Sequence, residues 1–586
     1  MHLYNLIELN TFNVFPEYFL GISALYIIIV VVLLTYNIFG LIVQKSISDC
    51  IGLVLLLSCY LIVNDDLLFR FSDYGLFPVL GFYQAVISDF FGFFAKLLIC
   101  FFSSVYFFVI ANFLKDYKLT SFEYLLILLF AVIGLLLLCT SNDLLTSYLA
   151  IELVSLSSYL LASFKKNSSY SVEAGIKYLI IGSISSAFFL LGSSLVYACI
   201  GTINISDFWS VFLDLKSWLP HSLKREFWQK MYSESYLNDI PSEEYLANEF
   251  FRTHMCWDAY SYLDYVRKLL NLRNYVKFVG FPEITEYAQF GEPLLEIGLT
   301  FIIFSLFIKL ALAPFHIWSL DVYEGSPTIS TFFFAVITKI SVVILLTRIC
   351  YSMIHFKESW QFYSMVVGLI SIFVGSLGGL RQKKLKTLLA YSSISHMGYV
   401  ILAVSSANPF GVETLLFYMI IYMISGIAIW FIVLAVRENR VNYLNKFNKE
   451  LGDFVLLKES NPALAFCFSA AAFSLAGIPP LVGFFAKLGI LLSIIYEEFY
   501  LIALLSILCS IVSTFYYIRI IKILYFENLL VGKLYYPVQT DKIFFLSVSV
   551  FFLIFLFINP TFLYIIIHNV VWYSFPYSIH FDTKFL

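Results

Sequence analysis

The sequence predicts an all-α polytopic membrane protein with about 14 transmembrane helices. Of its 586 residues, 61% are hydrophobic and only 13% are charged, and the mean hydropathy is +0.87. Soluble domains are about half apolar and a quarter charged. Apolar runs of about 20 residues, the length that a helix needs to cross a bilayer, recur along the chain. A membrane β-barrel would instead show ~10-residue alternating segments.

This composition excludes an ordinary soluble enzyme and a disordered chain. The net charge of -3 implies no nucleic acid or other partner attracted by overall charge. The nine cysteines are scattered and form no CxxC pair, so we expect no disulfide framework, zinc site or iron–sulfur cluster. Residues 1–19 contain no lysine or arginine, so we expect neither a cleavable signal nor an Arg-rich transit peptide.

The basic residues provide a test of the predicted spans. The spans lie approximately at 20–44, 49–63, 92–113, 122–140, 142–163, 174–200, 297–320, 328–352, 362–380, 384–405, 411–435, 459–495, 500–524 and 541–566. Loops after odd-numbered spans hold 18 lysines and arginines, whereas the opposite side holds three outside one long loop. Because basic loops face the cytoplasm or matrix, both termini are predicted on the other side.

The chain divides into four predicted parts. Residues 1–121 hold the first three spans, 122–352 a first five-helix repeat, 362–524 a second five-helix repeat, and 525–586 a C-terminal helix and tail. A polar loop at 203–296 is inserted in the first repeat. Its segment from Asp258 to Gly280 has the spacing of an amphipathic helix. The loop either packs on its neighbours or docks a partner subunit.

Two spans contain residues that interrupt a helix. Span 7 has Pro314 near its middle, and span 12 contains Gly477-Ile478-Pro479-Pro480. Proline removes a helical hydrogen bond, and in lipid the freed backbone must be covered by protein or a water-filled cavity. The two spans are five helices apart and therefore run in opposite directions. This arrangement predicts an inverted repeat, spans 4–8 against 9–13, and points to a transport site.

Eight charged residues in or directly beside the predicted spans are candidates for buried charges, and a charge near the bilayer centre costs about 2.5–3.5 kcal/mol on insertion scales. They are Lys96, Glu152, Glu173, Lys177, Lys309, Lys339, Arg348 and Lys487. Arg348 lies near a span end and is expected to snorkel to the membrane surface. Glu173 and Lys177 also lie near an end, and their spacing of four places them on one helix face. Glu152, Lys309 and Lys339 lie too deep to snorkel easily.

A polar row at mid-membrane is predicted from Glu152, Lys309, His316, Lys339 and Lys487. Burial disfavours a charged ammonium and a nearby carboxylate favours it, so a buried lysine can switch between holding and releasing a proton. Histidine titrates near neutrality and can bridge such steps, although His316 also fits a satisfied core histidine. A metal-ion carrier would need several convergent carboxylates, so the row favours protons and no metal site is expected.

Three stretches resemble the antiporter-like membrane subunits of respiratory complex I, a family related to Mrp-type sodium/proton antiporters. They run from Ser141 to Leu153, from Phe307 to Pro327 and from Leu385 to Tyr399. The resemblance covers roughly 90–580 except the 203–296 loop, which the family usually lacks. The stretch from Ala476 to Lys487 is most similar to the branch of the family that carries lysine, not glutamate, at its last position.

The resemblance implies a proton-translocating subunit of NADH:quinone oxidoreductase, an enzyme whose redox centres would lie in other chains. It assigns the proton relay to Glu152, Lys177, Lys309, His316, Lys339 and Lys487. It implies no cofactor in this chain, because NADH, FMN, iron–sulfur clusters and ubiquinone would bind elsewhere in the complex. The implied partners are other membrane-arm subunits, including neighbouring antiporter-like subunits, together with the lipid bilayer. The expected location is the mitochondrial inner membrane with both termini in the intermembrane space; a bacterial or plastid membrane also fits.

Two alternatives stay open at this point. A free-standing or Mrp-type cation/proton antiporter would share the broken helices and the buried lysines, but it would not purify with flavin and iron–sulfur proteins. A non-pumping membrane scaffold would use its buried charges only to fix helix pairing. In that case neutralising Lys309 would impair assembly and leave pumping per assembled complex unchanged.

Overall fold

The computed structural model describes residues 14–35, 40–71, 79–117, 119, 121–208, 284–438, 446–447, 450–455, 457–527, 535 and 540–574. Within these ranges twelve helical segments are long and apolar enough to cross a membrane, or 13 if one bent pair counts as a single span. One of the twelve, Thr328–Ser352, contains two consecutive helices. The all-α polytopic fold is therefore confirmed. The count of 14 spans, the inverted repeat and the division into four parts stay predictions. The amphipathic helix predicted from Asp258 to Gly280 lies outside the described residues.

The helices are numbered in chain order. They are α1 (Phe15–Thr35), α2 (Gly40–Phe71), α3 (Phe90–Ala111), α4 (Phe122–Thr140), α5 (Leu144–Ala162), α6 (Ser169–Ile200), α7 (Ile284–Leu310), α8 (Ile317–Gly325), α9 (Thr328–Val336), α10 (Thr338–Ser352), α11 (Lys357–Leu380), α12 (Leu385–Ser405), α13 (Pro409–Ala435), α14 (Leu457–Ser460), α15 (Pro462–Ala476), α16 (Gly483–Tyr496), α17 (Tyr500–Tyr525), α18 (Thr540–Ile558) and α19 (Thr561–Ser574).

Short non-helical elements connect some of these helices. Strands β1 (Val79–Gly81) and β2 (Val86–Ser88) pair antiparallel ahead of α3, with Val79 opposite Ser88. Strands β3 (Arg437–Glu438) and β4 (Lys446–Phe447) pair in the same way after α13. Single 3₁₀ turns cover Ile354–Phe356 and Leu451–Phe454.

Both predicted helix breaks are confirmed. Span 7 consists of α7 and α8, of which α7 alone holds an apolar stretch long enough to cross a membrane. Span 12 consists of α15 and α16, which are both too short to cross a membrane alone. At the first break Ala313 N–H donates to Ser371 Oγ at 3.0 Å, and Trp318 Nε1–H donates to Ile308 O at 3.1 Å. Side chains of the protein therefore satisfy backbone groups that the interruption frees, as a break within lipid requires.

Two further interruptions were not predicted. Span 8 consists of α9 and α10, which are separated by Ile337 alone. The last span ends earlier than predicted, because α18 stops at Ile558 and α19 continues at an angle of 86°. Pro560 stands at this turn, where its missing N–H and fixed φ favour the end of a helix.

Contacts between loops agree with the predicted alternation of sides. Arg348, at the end of an even-numbered span, donates to Asp89 Oδ1 at 2.8 Å and to Ser141 O at 3.1 Å, in loops that follow spans 2 and 4. Arg519, at the end of span 13, donates to Leu380 O at 2.7 Å, at the end of span 9. Even-numbered span ends therefore meet each other, and so do odd-numbered ones.

The core of the bundle lies around α9, α10, α12 and α13. These four helices form three spans, because α9 and α10 together make up span 8. In the most apolar stretch of each of the three spans 94% of residues are buried, compared with 28% in α6 and α17. The last helix, α19, packs against this core through Tyr564, whose ring stacks on Phe417 with 4.2 Å between centroids. His568 of α19 also contacts Glu413 of α13, with Nδ1 at 2.7 Å from Oε1.

Candidate functional site

Lys487 lies beside the second helix break. The helix α15 ends at Ala476, and the next residue, Gly477, has a left-handed φ of 78°. The Lys487 ammonium, on α16, donates a hydrogen bond to Ala476 O at 2.7 Å. Carbonyl groups at a helix C-terminus carry partial negative charge, which stabilises a cation there. A Cβ on Gly477 would lie 2.6 Å from Lys487 Cδ, so glycine permits both the backbone turn and the approach of the lysine.

Lys309 lies beside the first break, but on the helix that precedes it. It lies in the last turn of α7, directly before the interruption. Its Nζ is shielded from solvent and has no hydrogen-bond partner among the described residues. Each broken span therefore places one lysine beside its interruption: Lys309 precedes the first break and Lys487 follows the second.

Glu152, in the middle of α5, acts electrostatically on Lys309. No hydrogen bond joins the two side chains within the part of the chain that the structure describes. Glu152 Oε2 accepts a hydrogen bond from Ser155 Oγ at 3.3 Å, and its Oε1 has no partner there. The two groups are thus coupled through their charges and not through direct contact.

Lys339 is the second residue of α10 and follows the unpredicted interruption at Ile337. Its side chain is buried, with 5% of the residue exposed. Its Nζ lies 5.6 Å from the centroid of the Tyr422 ring, within cation–π range. Since Nζ has no hydrogen-bond partner in the described ranges, the ring face is the polar surface that this ammonium meets there.

His396 of α12 is a candidate residue that sequence reasoning did not assign. It is 3% exposed, and its Nδ1 and Nε2 lie 2.6 and 3.0 Å from the hydroxyls of Tyr418 and Tyr517. The charges of Lys339 and Lys487 both act on this ring. The sequence indicates this residue only as a histidine within a predicted membrane span. Its hydrogen-bond partners become visible only in the packed structure.

A small cavity connects His396 with Lys487. Its volume is about 10 Å³, and its lining also includes Tyr418, Tyr422 and Ser425. A buried water needs about 10–15 Å³ and several polar partners, and this cavity provides both. The ring of Tyr422 lies 5.4 Å from that of His396 between centroids. The second half of the bundle thus brings Lys339, His396 and Lys487 into one polar cluster.

The predicted residue His316 stays outside that cluster. It caps the start of α8 at the first break, and its Nδ1 is shielded from solvent. That atom has no hydrogen-bond partner among the residues that the structure describes. His316 is therefore placed next to the interruption, near the end of the half-helix that carries Lys309.

Lys177 also lies apart from the buried row, on the surface of α6. Its Nζ lies 2.8 Å from Glu173 Oε1 and 2.7 Å from Asp321 Oδ2. The expected contact between Glu173 and Lys177 is confirmed, whereas Asp321 was not predicted as a partner. The side chains of Glu173, Lys177 and Asp321 are 59%, 42% and 49% exposed, and we call them the surface triad.

Two other cations within the membrane are paired with acids. Lys96 Nζ lies 2.6 Å from Glu17 Oε1, and both side chains are at most 6% exposed. Arg348 binds both oxygens of Asp89, at 2.8 and 2.9 Å, with only 10% of its side chain exposed. The expectation that Arg348 snorkels is therefore wrong, because Asp89, the N-cap of α3, lies at the same end of the bundle.

No metal site is found in the described ranges, where no three His, Cys, Asp or Glu side chains are grouped to hold an ion. The cysteines in those ranges are free thiols. The polar groups of the row and the cluster around His396 are thus lysines, the Glu152 carboxylate, histidines and tyrosines. Their chemistry is the donation and acceptance of protons.

Comparison with known proteins places this arrangement in a family. Residues 141–231 and 268–513 match the family model described as NADH:quinone oxidoreductase/Mrp antiporter, TM. NADH-ubiquinone oxidoreductase chain 2 of Marchantia polymorpha is 31% identical over 488 residues, which cover 83% of this chain and 84% of that protein. NADH-quinone oxidoreductase subunit N of Paramagnetospirillum magneticum is 30% identical over 443 residues, covering 75% and 76%.

Solved structures show the same fold. A chain of respiratory complex I from Thermus thermophilus with bound Aureothin has a TM-score of 0.66 at 21% identity, covering 94% of this chain and 98% of that one. A chain of the Mrp complex from Dietzia sp. DQ12-45-1b has a TM-score of 0.71 at 16% identity, covering 97% and 98%. Together with the sequence matches, this establishes that the chain belongs to the NADH:quinone oxidoreductase/Mrp antiporter family of membrane subunits, in which it is most like complex I subunit N, or chain 2.

Proposed function

We propose that this chain translocates protons as a membrane subunit of NADH:quinone oxidoreductase in the mitochondrial inner membrane. The observation that carries the proposal is the placement of Lys309 and Lys487 beside the interruptions of two broken spans. Relatives named as subunits of NADH-quinone oxidoreductase support the choice of complex. In this proposal NADH oxidation and quinone reduction occur in other subunits, and this chain supplies one route for protons.

The first step of the proposed mechanism concerns Lys309 and Glu152. Lys309 Nζ has no hydrogen-bond partner in the described residues, so burial disfavours its charge while the Glu152 carboxylate favours it. When the Glu152 carboxylate is charged and close, Lys309 holds its proton; when that charge is removed or moves away, burial favours release. The proton then passes along the membrane plane toward Lys339, with His316 at the break as an additional acceptor.

The second step uses the cluster around His396. A neutral imidazole accepts a proton on one nitrogen while it donates from the other, so His396 can pass a proton between the tyrosine hydroxyls on its two sides. Lys487 can exchange a proton with this cluster through the water-sized cavity. The hydrogen bond to Ala476 O favours the charged form of Lys487 until a second positive charge arrives nearby.

From the exposed charges of the surface triad we infer that another membrane subunit packs against this face. Lys177 lies ~12 Å along α6 from its first residue, near the end of its span. Around it Ile176 and Ile180 are 56% and 50% exposed, as expected of a face in contact with an apolar environment. Three exposed charged side chains beside such apolar residues are costly if the face meets lipid hydrocarbon. We therefore propose that a second membrane-arm subunit covers this face, so that Lys177 joins the proton relay only within the complex.

Proton pumping per electron tests the proposal directly. Lys309→Met and Glu152→Gln are expected to lower the number of protons pumped per NADH in complexes whose assembly has been verified. Lys522→Gln is a matched control, because Lys522 is 66% exposed on α17, away from the buried lysines. Unchanged pumping in both test variants would refute the assignment of the row.

Two further measurements address the alternatives and the location. The matching family model also covers Mrp antiporters, which keeps the cation/proton antiporter as a second candidate; co-purification with flavin and iron–sulfur proteins would exclude it. The scaffold alternative predicts lost assembly with normal pumping in the Lys309 variant. Protease digestion of a tag on either terminus, in mitochondria whose outer membrane alone has been ruptured, tests the intermembrane-space orientation; digestion only after the inner membrane is opened would contradict it.

A further inference from the structure

A groove of about 180 Å³ lies outside the buried row, where α2, α3, α13 and α18 meet. Its lining combines polar and aromatic side chains: Lys45, Asp49, Phe108, Val109, Asn112, Phe431 and Phe545. The rings of Phe108 and Phe545 lie parallel, 5.9 Å apart between centroids. Pockets for drug-sized ligands are larger, about 300–1,000 Å³, so this groove fits a smaller chemical group.

The helix ends place this groove at the boundary of the membrane. Lys45 and Asp49 lie in the first three turns of α2, and Phe108 lies in the last turn of α3. Phe431 is four residues from the end of α13, and Phe545 is in the second turn of α18. All four helix ends belong to the side on which the basic loops gather, at the level where lipid headgroups begin.

The charged side chains of the groove act on each other, since the Lys45 charge acts on the Asp49 carboxylate. Lys45 Nζ and the Asp49 carboxylate make no hydrogen bond or ion pair with any described residue, and neither does the Asn112 amide. Lys45 and Asp49 are four residues apart on α2, so their Cβ atoms are roughly 5–6 Å apart on one face. One cation, one anion and one neutral donor are thus presented together above an aromatic floor.

We propose that this groove binds the headgroup of a membrane phospholipid that carries a phosphate and a primary ammonium, that is, a phosphoethanolamine headgroup. The phosphate accepts hydrogen bonds from Lys45 Nζ and Asn112 Nδ2, and the ammonium donates to the Asp49 carboxylate. The two-carbon bridge between these groups matches the spacing of Lys45 and Asp49. The first carbons of the acyl chains pass over Phe108 and Phe545 into the bilayer.

The charges of the groove select among lipids. A doubly anionic headgroup would meet one lysine and be repelled by Asp49, so it fits poorly. A choline headgroup has the right charges but no N–H, and it would leave the Asp49 carboxylate without a hydrogen bond. Loss of one charged hydrogen bond, about 1.5–3 kcal/mol, corresponds to about tenfold or more in affinity.

Native mass spectrometry of the intact complex tests this site. The complex is depleted of lipid in mild detergent and then given equal amounts of phosphatidylethanolamine, phosphatidylcholine and phosphatidylglycerol. The wild type is expected to retain phosphatidylethanolamine over phosphatidylcholine by about tenfold. Asp49→Asn should remove that preference while phospholipid still binds, and Lys45→Gln should lower retention of both zwitterionic lipids.

Lys522→Gln serves as the control, because it removes an exposed lysine on α17, a helix that does not line the groove. It should leave the retention of each lipid unchanged. The comparison of lipids on the wild type needs no variant, so it stands even if a substitution impairs assembly. Equal retention of the two zwitterionic lipids by the wild type, no retained phospholipid at all, or an unaltered preference in Asp49→Asn would overturn the proposal. Proton pumping is not part of the readout, so the proposed function and this site fail independently.

Discussion

The ammonium of Lys487 donates a hydrogen bond to the carbonyl oxygen of Ala476 at 2.7 Å, and so binds the end of the helix that precedes it across a break. The lysine belongs to α16 and the carbonyl to α15, which makes the break itself part of the binding site for the charge. A charge held in this way can be released by a small movement of one half-helix. Substitutions at this contact, and at the polar groups around it, should therefore affect proton transfer most.

Replacing Lys487 by methionine is expected to lower proton pumping strongly while the complex still assembles. Methionine has a similar length and fills the same space, but it has no proton to exchange and leaves Ala476 O without this donor. Pumping per NADH, measured beside the amount of assembled complex, checks this expectation. Normal pumping in fully assembled complexes would show that Lys487 has a structural role only.

Gly477→Ala is expected to be more harmful than Gly201→Ala. Both glycines have left-handed φ values, 78° and 82°, and an L-residue there costs about 1–2 kcal/mol. A Cβ at Gly477 would also collide with Lys487 Cδ at 2.6 Å, whereas a Cβ at Gly201 would meet nothing within 4 Å. Thermal unfolding should therefore detect both changes, but only Gly477→Ala should reduce pumping. Equal pumping by the two variants would argue against the role of this contact.

His396→Gln is expected to separate stability from proton transfer. Glutamine can still hydrogen-bond to the hydroxyls of Tyr418 and Tyr517, but it does not titrate near neutral pH. We expect a small change in thermal stability and a large loss of pumping. His396→Leu should in addition destabilise the complex, because it removes the hydrogen-bond partner of two buried hydroxyls at about 1–3 kcal/mol each. If His396→Gln pumps normally, the histidine is not a relay.

Arg348→Met is expected to destabilise the bundle by about 1–3 kcal/mol, since it leaves the partly buried Asp89 carboxylate without its charged partner. The double variant Arg348→Met, Asp89→Asn should recover much of this loss, because no unpaired charge remains. Asparagine can also still accept the N-cap hydrogen bond from Gly92 N–H. A double-mutant cycle on thermal unfolding measures the coupling; purely additive effects would show that the pair is not coupled.

The surface ion pair between Lys384 and Glu324 is expected to give no pH dependence near neutrality. The Glu324 carboxylate raises the pKa of Lys384 above its usual value. A raised pKa in the folded state stabilises the protein at all pH values below the unfolded pKa of about 10.4, and this contribution is lost only as pH rises through the higher folded pKa.

Because both side chains are well exposed, at 56% and 39%, the pair should contribute no more than about 1 kcal/mol. Lys384→Gln should therefore lower the unfolding temperature slightly and by the same amount between about pH 6 and pH 9. A difference that grows or vanishes within this range would show that another group titrates with the pair.

Features with a local cause are predictable from the sequence. Pro314 and the Gly477–Pro480 segment interrupt a helix wherever they stand in it, so both breaks are predicted correctly. The contact between Glu173 and Lys177 follows from a spacing of four on one helix. The deep positions of Lys309, Lys339 and Lys487 follow from the length of the apolar runs around them.

Features that depend on packing between distant segments are not predictable in this way. The partners of His396 are 22 and 121 residues away, and Asp89 is 259 residues from Arg348. A sequence without knowledge of the neighbouring helices gives no means to choose such partners. For the same reason the sequence does not reveal that Lys177, a predicted relay residue, lies on an outer face of its helix with Asp321.

The sharp turn between α18 and α19 bears on the effect of early stop codons. A chain that ended at the turn would lack Tyr564 and His568, leaving the ring of Phe417 uncovered and the Glu413 carboxylate without its histidine. A stop codon that removes only the short segment from Tyr564 onward would therefore still expose part of the core.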